Sequence, residues 1–111
     1  MHKTLTFNGA EVKVASNAFI PHLYRDKFGR DIMMELQKFE TTAKKSPEEL
    51  DFAPIERLAW LMLKEGGEDV GESPEEWLRS IDSPVAVYNL SAELLAFWKE
   101  SQRSTSVPKK K

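Results

Sequence analysis

The sequence contains no cysteine. Disulfide frameworks and thiolate metal sites are therefore excluded, and the absence suits a reducing compartment. Histidine is scarce, with only His2 and His22. His22 and Asp26, four apart on a predicted helix, can share one face, but a metal needs more ligands than these two supply. No apolar run approaches the roughly 18 residues of a membrane span. The opening MHKTLTFNG lacks the apolar stretch of a secretion signal. The expectation is an intracellular chain with no metal, no cofactor and no membrane partner.

Catalytic arrangements are missing as well. Glu48-Glu49 and Glu75-Glu76 are adjacent pairs, and neighbours in a helix point to different faces rather than converging. They read as first-turn charges favoured by the helix dipole. The GGEDVG stretch has neither a phosphate-loop lysine nor the spaced oxygens of a calcium loop, and reads as a solvated linker. No serine or lysine stands beside a base that would activate it. The chain is expected not to be an enzyme.

What is present is an ordinary globular balance over 111 residues, 41% hydrophobic and 31% charged, enough for one domain with one modest core. The net charge of −2 is unevenly spread. Residues 46–82 hold eleven acidic and three basic side chains, whereas 22–45 and 83–111 are mildly basic. An acidic middle argues against a general nucleic-acid binder, whose charge gathers into one basic surface, and suits electrostatic recognition of a protein.

The clearest local signal is TLTFNGAEVKV. Asn8-Gly9 suits a type I′ turn, in which both central residues take positive φ. Pairing across it sets Phe7 opposite Ala10 and Leu5 opposite Val12, with Leu5, Phe7, Ala10, Val12 and Val14 on one face. A lone hairpin is marginal in water, so that face must lie on helices or on another chain, and its free edge either is covered or adds a partner's strand.

Helical signals follow. Ser16 or Asn17 caps a helix from about Ala18, Pro21 falls in its first turn, and Gly29 stops it. Asp31 starts a second helix, with Ile32, Met33, Leu36, Phe39 and Ala43 at helical spacing. A turn of helix is possible after Ser46-Pro47. PIERLAWLMLKEGG is apolar nearly all round, so its helix is either central to the core or shared with a partner. SPEEWLRSID has a serine cap, a proline and an acidic first turn. SPVAVYNL reads as an extended segment or turn before a last helix capped by Ser91 and carrying Leu94, Leu95 and Trp98. The fold class is α+β, predominantly α-helical: an N-terminal β-hairpin and four to five helices in a single domain over 1–103. A disordered basic tail is expected over 104–111.

Arg25, Lys27 and Arg30 beside Tyr24 and Phe28 combine basic and stacking groups, as single-strand binders do. The helix, glycine turn and helix also suit helix-turn-helix geometry. Asp26 and Asp31 inside the patch, and Glu35 and Glu40 on the second helix, weigh against it.

The stretch NAFIPHLYRDKFGRDIMMELQKF resembles the core signature of phage tail assembly chaperones of long-tailed siphophages and prophages of Gram-positive bacteria. The matching residues are Pro21, Leu23, Tyr24, Arg25, Phe28, Gly29, Arg30 and Asp31. The layout of the FNGAEVKV start, the ERLAWLML helix and the EEWL helix is similar over about residues 1–100; the specific part is about fourteen residues. The resemblance implies a non-enzymatic assembly factor of the host cytoplasm, absent from the mature virion. It would bind the tape measure protein and keep it soluble until tail-tube subunits polymerise around it. It also implies a longer form, made by a programmed frameshift, that recruits the tail tube protein. VPKKK at the terminus is either the trace of an A-rich slippery site or a basic tail. Self-association is permitted. The alternative is a small nucleic-acid-binding phage or prophage regulator using Arg25, Lys27 and Arg30.

A helix chaperone needs exposed apolar stripes. The candidate partner-binding residues are Trp60, Leu61, Leu63, Leu94, Leu95 and Trp98, with Met33, Met34 and Met62 lending adaptable packing. Pro21, Tyr24, Phe28, Gly29 and Asp31 are read as a structural corner between two helices.

Overall fold

The computed structural model describes the backbone of residues 1–106 and the side chains of residues 1–101. Strands β1 (His2–Phe7) and β2 (Ala10–Ala15) form the antiparallel hairpin, with Leu5 opposite Val12 and Phe7 opposite Ala10. Asn8 and Gly9 have φ of 53° and 77°, as a type I′ turn requires. Leu5, Phe7, Val12 and Val14 pack into the core, while Ala10 at the turn stays exposed. The outer side of β2 is partly closed, because the Lys13 amide donates to the Glu68 carboxylate at 2.8 Å.

Helices α1 (Ile20–Phe28) and α2 (Ile32–Lys45) meet at the expected corner. Asn17 Oδ1 accepts from the Phe19 amide, and the helix proper begins at Ile20, two residues later than the sequence suggests. Gly29 ends α1 at φ 68°, in the left-handed region that favours glycine. Asp31 Oδ1 then accepts from the amides of Met33 and Met34, capping α2. Of the residues expected inward on α2, Ile32 and Leu36 are buried and Phe39 is half-buried, but Met33 points out with Met34. A single 3-10 turn, Pro47–Glu49, leads on towards α3 (Ala53–Glu65).

Helix α3 is the centre of the molecule. Six successive residues, Leu58 to Leu63, are buried, because β2, α1, α2, α4 and α5 all pack around it. A helix apolar on every side stays in the fold only when it is covered on every side. The short α4 (Pro74–Arg79) is capped by Ser73, whose Oγ accepts from the Glu76 amide. Its Trp77 reaches Phe7 of the hairpin, with ring centroids 6.4 Å apart.

The last element departs from expectation. Residues 84–90 are neither a strand nor a turn; α5 runs unbroken from Pro84 to Ser106. Ser83, not Ser91, supplies the cap, its Oγ accepting from the Ala86 amide at 3.2 Å. Val87, Leu90, Leu94, Phe97 and Trp98 form one long buried face against the core, and that packing overrides the weak helix preference of Val85, Val87 and Tyr88. Helix α5 also takes in residues 104–106 of the expected tail, whose remainder, 107–111, lies outside the described residues.

The interval between α3 and α4 is no simple solvated linker. Val70 is buried, and its carbonyl accepts from the indole of Trp60 at 3.1 Å. No helix among the described residues is long and apolar enough to cross a membrane.

Candidate functional site

The residues expected to meet a partner lie mostly in the core. Trp60, Leu61, Leu63, Leu94 and Trp98 are each 1–4% exposed. On the folded surface they are out of a partner's reach, because α3 is enclosed and because Leu94 and Trp98 belong to the inward face of α5. Trp60 and Leu61 do border a shallow hollow between α1 and α3, where Lys27 and Lys64 stand 5.4 and 5.1 Å from the Trp60 ring centre. Met62 is buried as well; Met33 and Met34 alone of that trio reach solvent.

Leu95 is the exception. It is half-buried and lines an apolar groove of about 390 Å³ between α2, the start of α3 and α5. Phe39 and Phe52 form one wall, Tyr88, Ala92 and Leu95 the other, and Ile55 and Ser91 also line it. The three aromatics make a continuous edge-to-face series, Phe39 to Phe52 at 5.5 Å and Phe52 to Tyr88 at 5.2 Å. Much of this surface is open: Phe52 is 36% and Tyr88 50% exposed.

The groove runs along a stripe on α5. Val85, Tyr88, Ala92 and Leu95 recur at i, i+3, i+7 and i+10, so they lie on one side of the helix. The stripe continues one further turn to Lys99, a span of about 21 Å at the helical rise. Val85 is 62% exposed, and Ala92 and Ala96 are exposed. Small side chains there let another backbone come close. This stripe is turned away from the Leu94/Trp98 face. The sequence pattern does not reveal it, because Val85 and Tyr88 lack a local helical signal.

The ends of the groove are charged. Beyond Leu95, Lys99 Nζ pairs with Glu40 at 2.5 Å. Near the α3 end, Asp51 lies in a neighbouring hollow with Lys38, Phe39 and Arg57, and Glu56 follows Ile55 in the chain. Glu56 also borders the hollow shared by Tyr88 and Val87. Partial burial, and then the nearby charge of Asp51, push the Glu56 carboxyl above the usual carboxylate range.

A second polar feature lies at the corner. Tyr24, fully buried, donates to Glu35 Oε1 at 2.5 Å and accepts from Arg57 Nε at 2.9 Å. Arg57 also reaches Glu35 at 3.4 Å, and Arg30 donates to its other oxygen at 2.9 Å. Burial first, and then the bond to Glu35, push the Tyr24 hydroxyl up to about 12. For Glu35, burial acts to raise the pKa, but the bonds from Tyr24 and Arg30 and the Arg57 charge hold it below the ordinary value. Every strong group here is answered by another, so the cluster fastens α1, α2 and α3 together. The sequence places Tyr24 at the corner but has no means of bringing Arg57, 33 residues away, onto its hydroxyl.

The other corner residues fall as expected. Phe28 packs edge-on to Tyr24 at 4.9 Å, and Pro21 lies in the first turn of α1. His22 stacks on Phe19 at 5.3 Å. The basic residues of the patch have partners within the chain: Arg25 on Asp31, Arg30 on Glu35, Lys27 on the Glu72 carbonyl. Among the described residues, no group of three or more potential ligands is placed to hold a metal.

Comparison with protein families, curated proteins and solved structures gives no match to this chain.

Proposed function

We propose that this chain is a non-enzymatic phage tail assembly chaperone that binds the tape measure protein and keeps it soluble during tail assembly. The observation that carries the reading is the apolar groove along Tyr88, Ala92 and Leu95, walled by Phe39 and Phe52 and extended along α5 by the exposed Val85. It has the period and length of a helix face and exposes aromatic surface that a stable monomer gains nothing by exposing. A long helical protein offers the complementary ridge. The resemblance of residues 17–39 to the tail-chaperone signature points the same way. In this reading the protein acts in the host cytoplasm and leaves before the virion matures, and a frameshift-extended form, rather than this chain, recruits the tail tube protein.

Co-expression tests it. The tape measure protein encoded beside this gene is expected to shift from the insoluble to the soluble fraction when the chain is supplied, and to co-purify with it. An unchanged soluble yield would count decisively against the chaperone reading. The gene is expected to lie between those of the tail tube and the tape measure protein.

A further inference from the structure

The hairpin has two edges, and the chain treats them differently. Met1 and Ser16 exchange both backbone bonds across its open end, the Met1 nitrogen donating to the Ser16 carbonyl at 2.8 Å and the Ser16 amide to the Met1 carbonyl at 2.9 Å. Bonded and unbonded residues alternate along an antiparallel pair. Met1, Lys3, Leu5 and Phe7 therefore bond towards β2, and His2, Thr4 and Thr6 turn their N–H and C=O groups outwards. The same parity turns Glu11 and Lys13 outwards on β2, where the Glu68 carboxylate takes the Lys13 amide. A Cβ on Gly66 would overlap the Lys13 carbonyl, so the end of α3 stands against that edge.

The edge of β1 has no such cover. His2, Thr4 and Thr6 are exposed, and their backbone groups make no bond to another element among the described residues. The strand also lacks the usual devices that blunt an edge: it has no proline, no acidic residue and no bulge in its register. The Lys3 side chain lies over the Phe97 ring, 5.8 Å from its centre, rather than along the edge. The apolar side of β1 is incompletely covered as well. Leu5 and Phe7 are half-buried and Met1 is 52% exposed, whereas Val14 on β2 is fully buried.

We infer that β1 pairs with β1 of a second copy, antiparallel about a two-fold axis through Thr4, to make one four-stranded sheet. The pattern of the strand selects both this partner and this register. With Thr4 on the axis, Thr4 bonds to Thr4 and His2 to Thr6 of the other copy, so every outward group of the strand is matched. On the helix side the same register sets Met1 against Phe7, a sulfur–aromatic contact, and Lys3 against Leu5. Centring the axis on Lys3 would set two lysines directly opposite, where like charges repel. Centring it on Leu5 would leave His2 facing Asn8 of the turn. The two-fold arrangement uses both free edges at once. The outer strands are then the two β2 strands, already covered at Lys13, so assembly stops at two copies. None of the groove residues is involved, and the inference stands apart from the chaperone reading.

The test uses the full chain. Light scattering during size-exclusion chromatography is expected to give about twice the monomer mass of 12.7 kDa at high concentration, falling to the monomer on dilution. The Thr4 and Thr6 amides should exchange with solvent more slowly as concentration rises. Thr4→Pro removes the donor on the axis, and proline is tolerated on an edge strand whose N–H faces solvent. It is expected to abolish the dimer with the circular dichroism unchanged. Thr4→Lys keeps the backbone donor but sets like charges on the axis, and should weaken the dimer about three- to fivefold at low salt. The chain has no cysteine, so Thr4→Cys carries a single thiol. The Cα atoms of a bonded antiparallel pair lie about 5.5 Å apart, within disulfide reach. Under mild oxidation Thr4→Cys should form a covalent dimer about tenfold or more faster than Glu11→Cys, an exposed control on β2. If Thr4→Pro fails to fold, Thr4→Lys and the cross-linking rates decide. The inference is overturned by a monomer at every concentration, whether bare or taking another protein's strand at this edge. A dimer indifferent to both Thr4→Pro and Thr4→Lys, equal cross-linking of the two cysteine variants, or a mass that grows beyond two copies would overturn it too.

Discussion

Tyr24 has no contact with solvent, yet its hydroxyl bonds to two ionised groups. A cluster of this kind stabilises while complete and is costly once broken, because each remaining partner is left buried without its counterpart. Glu35 is the member that titrates in an accessible range. Its folded pKa lies below its unfolded one, so its contribution is present above the ordinary glutamate value of about 4.3 and lost as pH falls through the folded value. Glu35→Gln is expected to lower unfolding free energy at pH 7 by about 1–3 kcal/mol. Urea titrations of the two proteins should converge on the acid side of that value. A gap that stays constant with pH would show that the carboxylate charge is not what the corner uses.

At the scale of the element, α5 carries apolar side chains on two faces, one buried and one open. Val87, Leu90, Leu94, Phe97 and Trp98 pack inward, while Val85, Tyr88 and Ala92 look out. Ser91 lies between, buried in the interior of the helix with an unpaired hydroxyl. Serine there gains neither the capping bond it would make at a helix start nor contact with water. Ser91→Ala removes the orphaned group and adds a better helix former. The variant is expected to melt higher than the parent, by an amount corresponding to about 1 kcal/mol or somewhat more. A lower melting temperature would mean that the hydroxyl has a bonding role inside the folded chain.

For the whole molecule, the decisive contact is where the hairpin meets the central helix. Gly66 follows the last residue of α3 and lies directly against the backbone of β2. A Cβ there would overlap the Lys13 carbonyl and come within 2.8 Å of Val14 Cα. Its φ of −77° is available to any residue, so the requirement is one of space alone. Gly66→Ala must push the hairpin away from α3, at a cost of about 1–3 kcal/mol for overpacking. Chemical denaturation should register that loss, and backbone amides of β2 should exchange faster with solvent than those of α2. The Ser16 and Ser101 hydroxyls, 2.5 Å apart, tie the far end of α5 to the end of β2. The two ends of the described chain are thereby bound into one core.

Much of this was settled locally. Asn8-Gly9 fixes the hairpin register because only a few residues tolerate positive φ at both turn positions, and the alternation of Leu5, Phe7, Val12 and Val14 then decides which face is buried. Gly29 and Asp31 place the α1–α2 corner by the chemistry of one stop and one cap. Ser73-Pro74 does the same for α4. These features depend on residues within a turn of one another, so a linear reading reaches them. The candidate site was not reachable in that way. An apolar residue such as Trp60, Leu94 or Trp98 looks the same in a core stripe and in a partner stripe, and only the packing of five other elements around α3 made these residues core. The groove draws Phe39 from α2, Phe52 from the residue that precedes α3, and Tyr88 and Leu95 from α5, and its α5 wall exists only because long-range packing carries the helix back through Val85 and Tyr88, against their local preference. The sequence by itself determined where the chain turns and which short elements it forms; the tertiary structure decided which apolar surface is left over, because exposure is what remains after every other element has been packed.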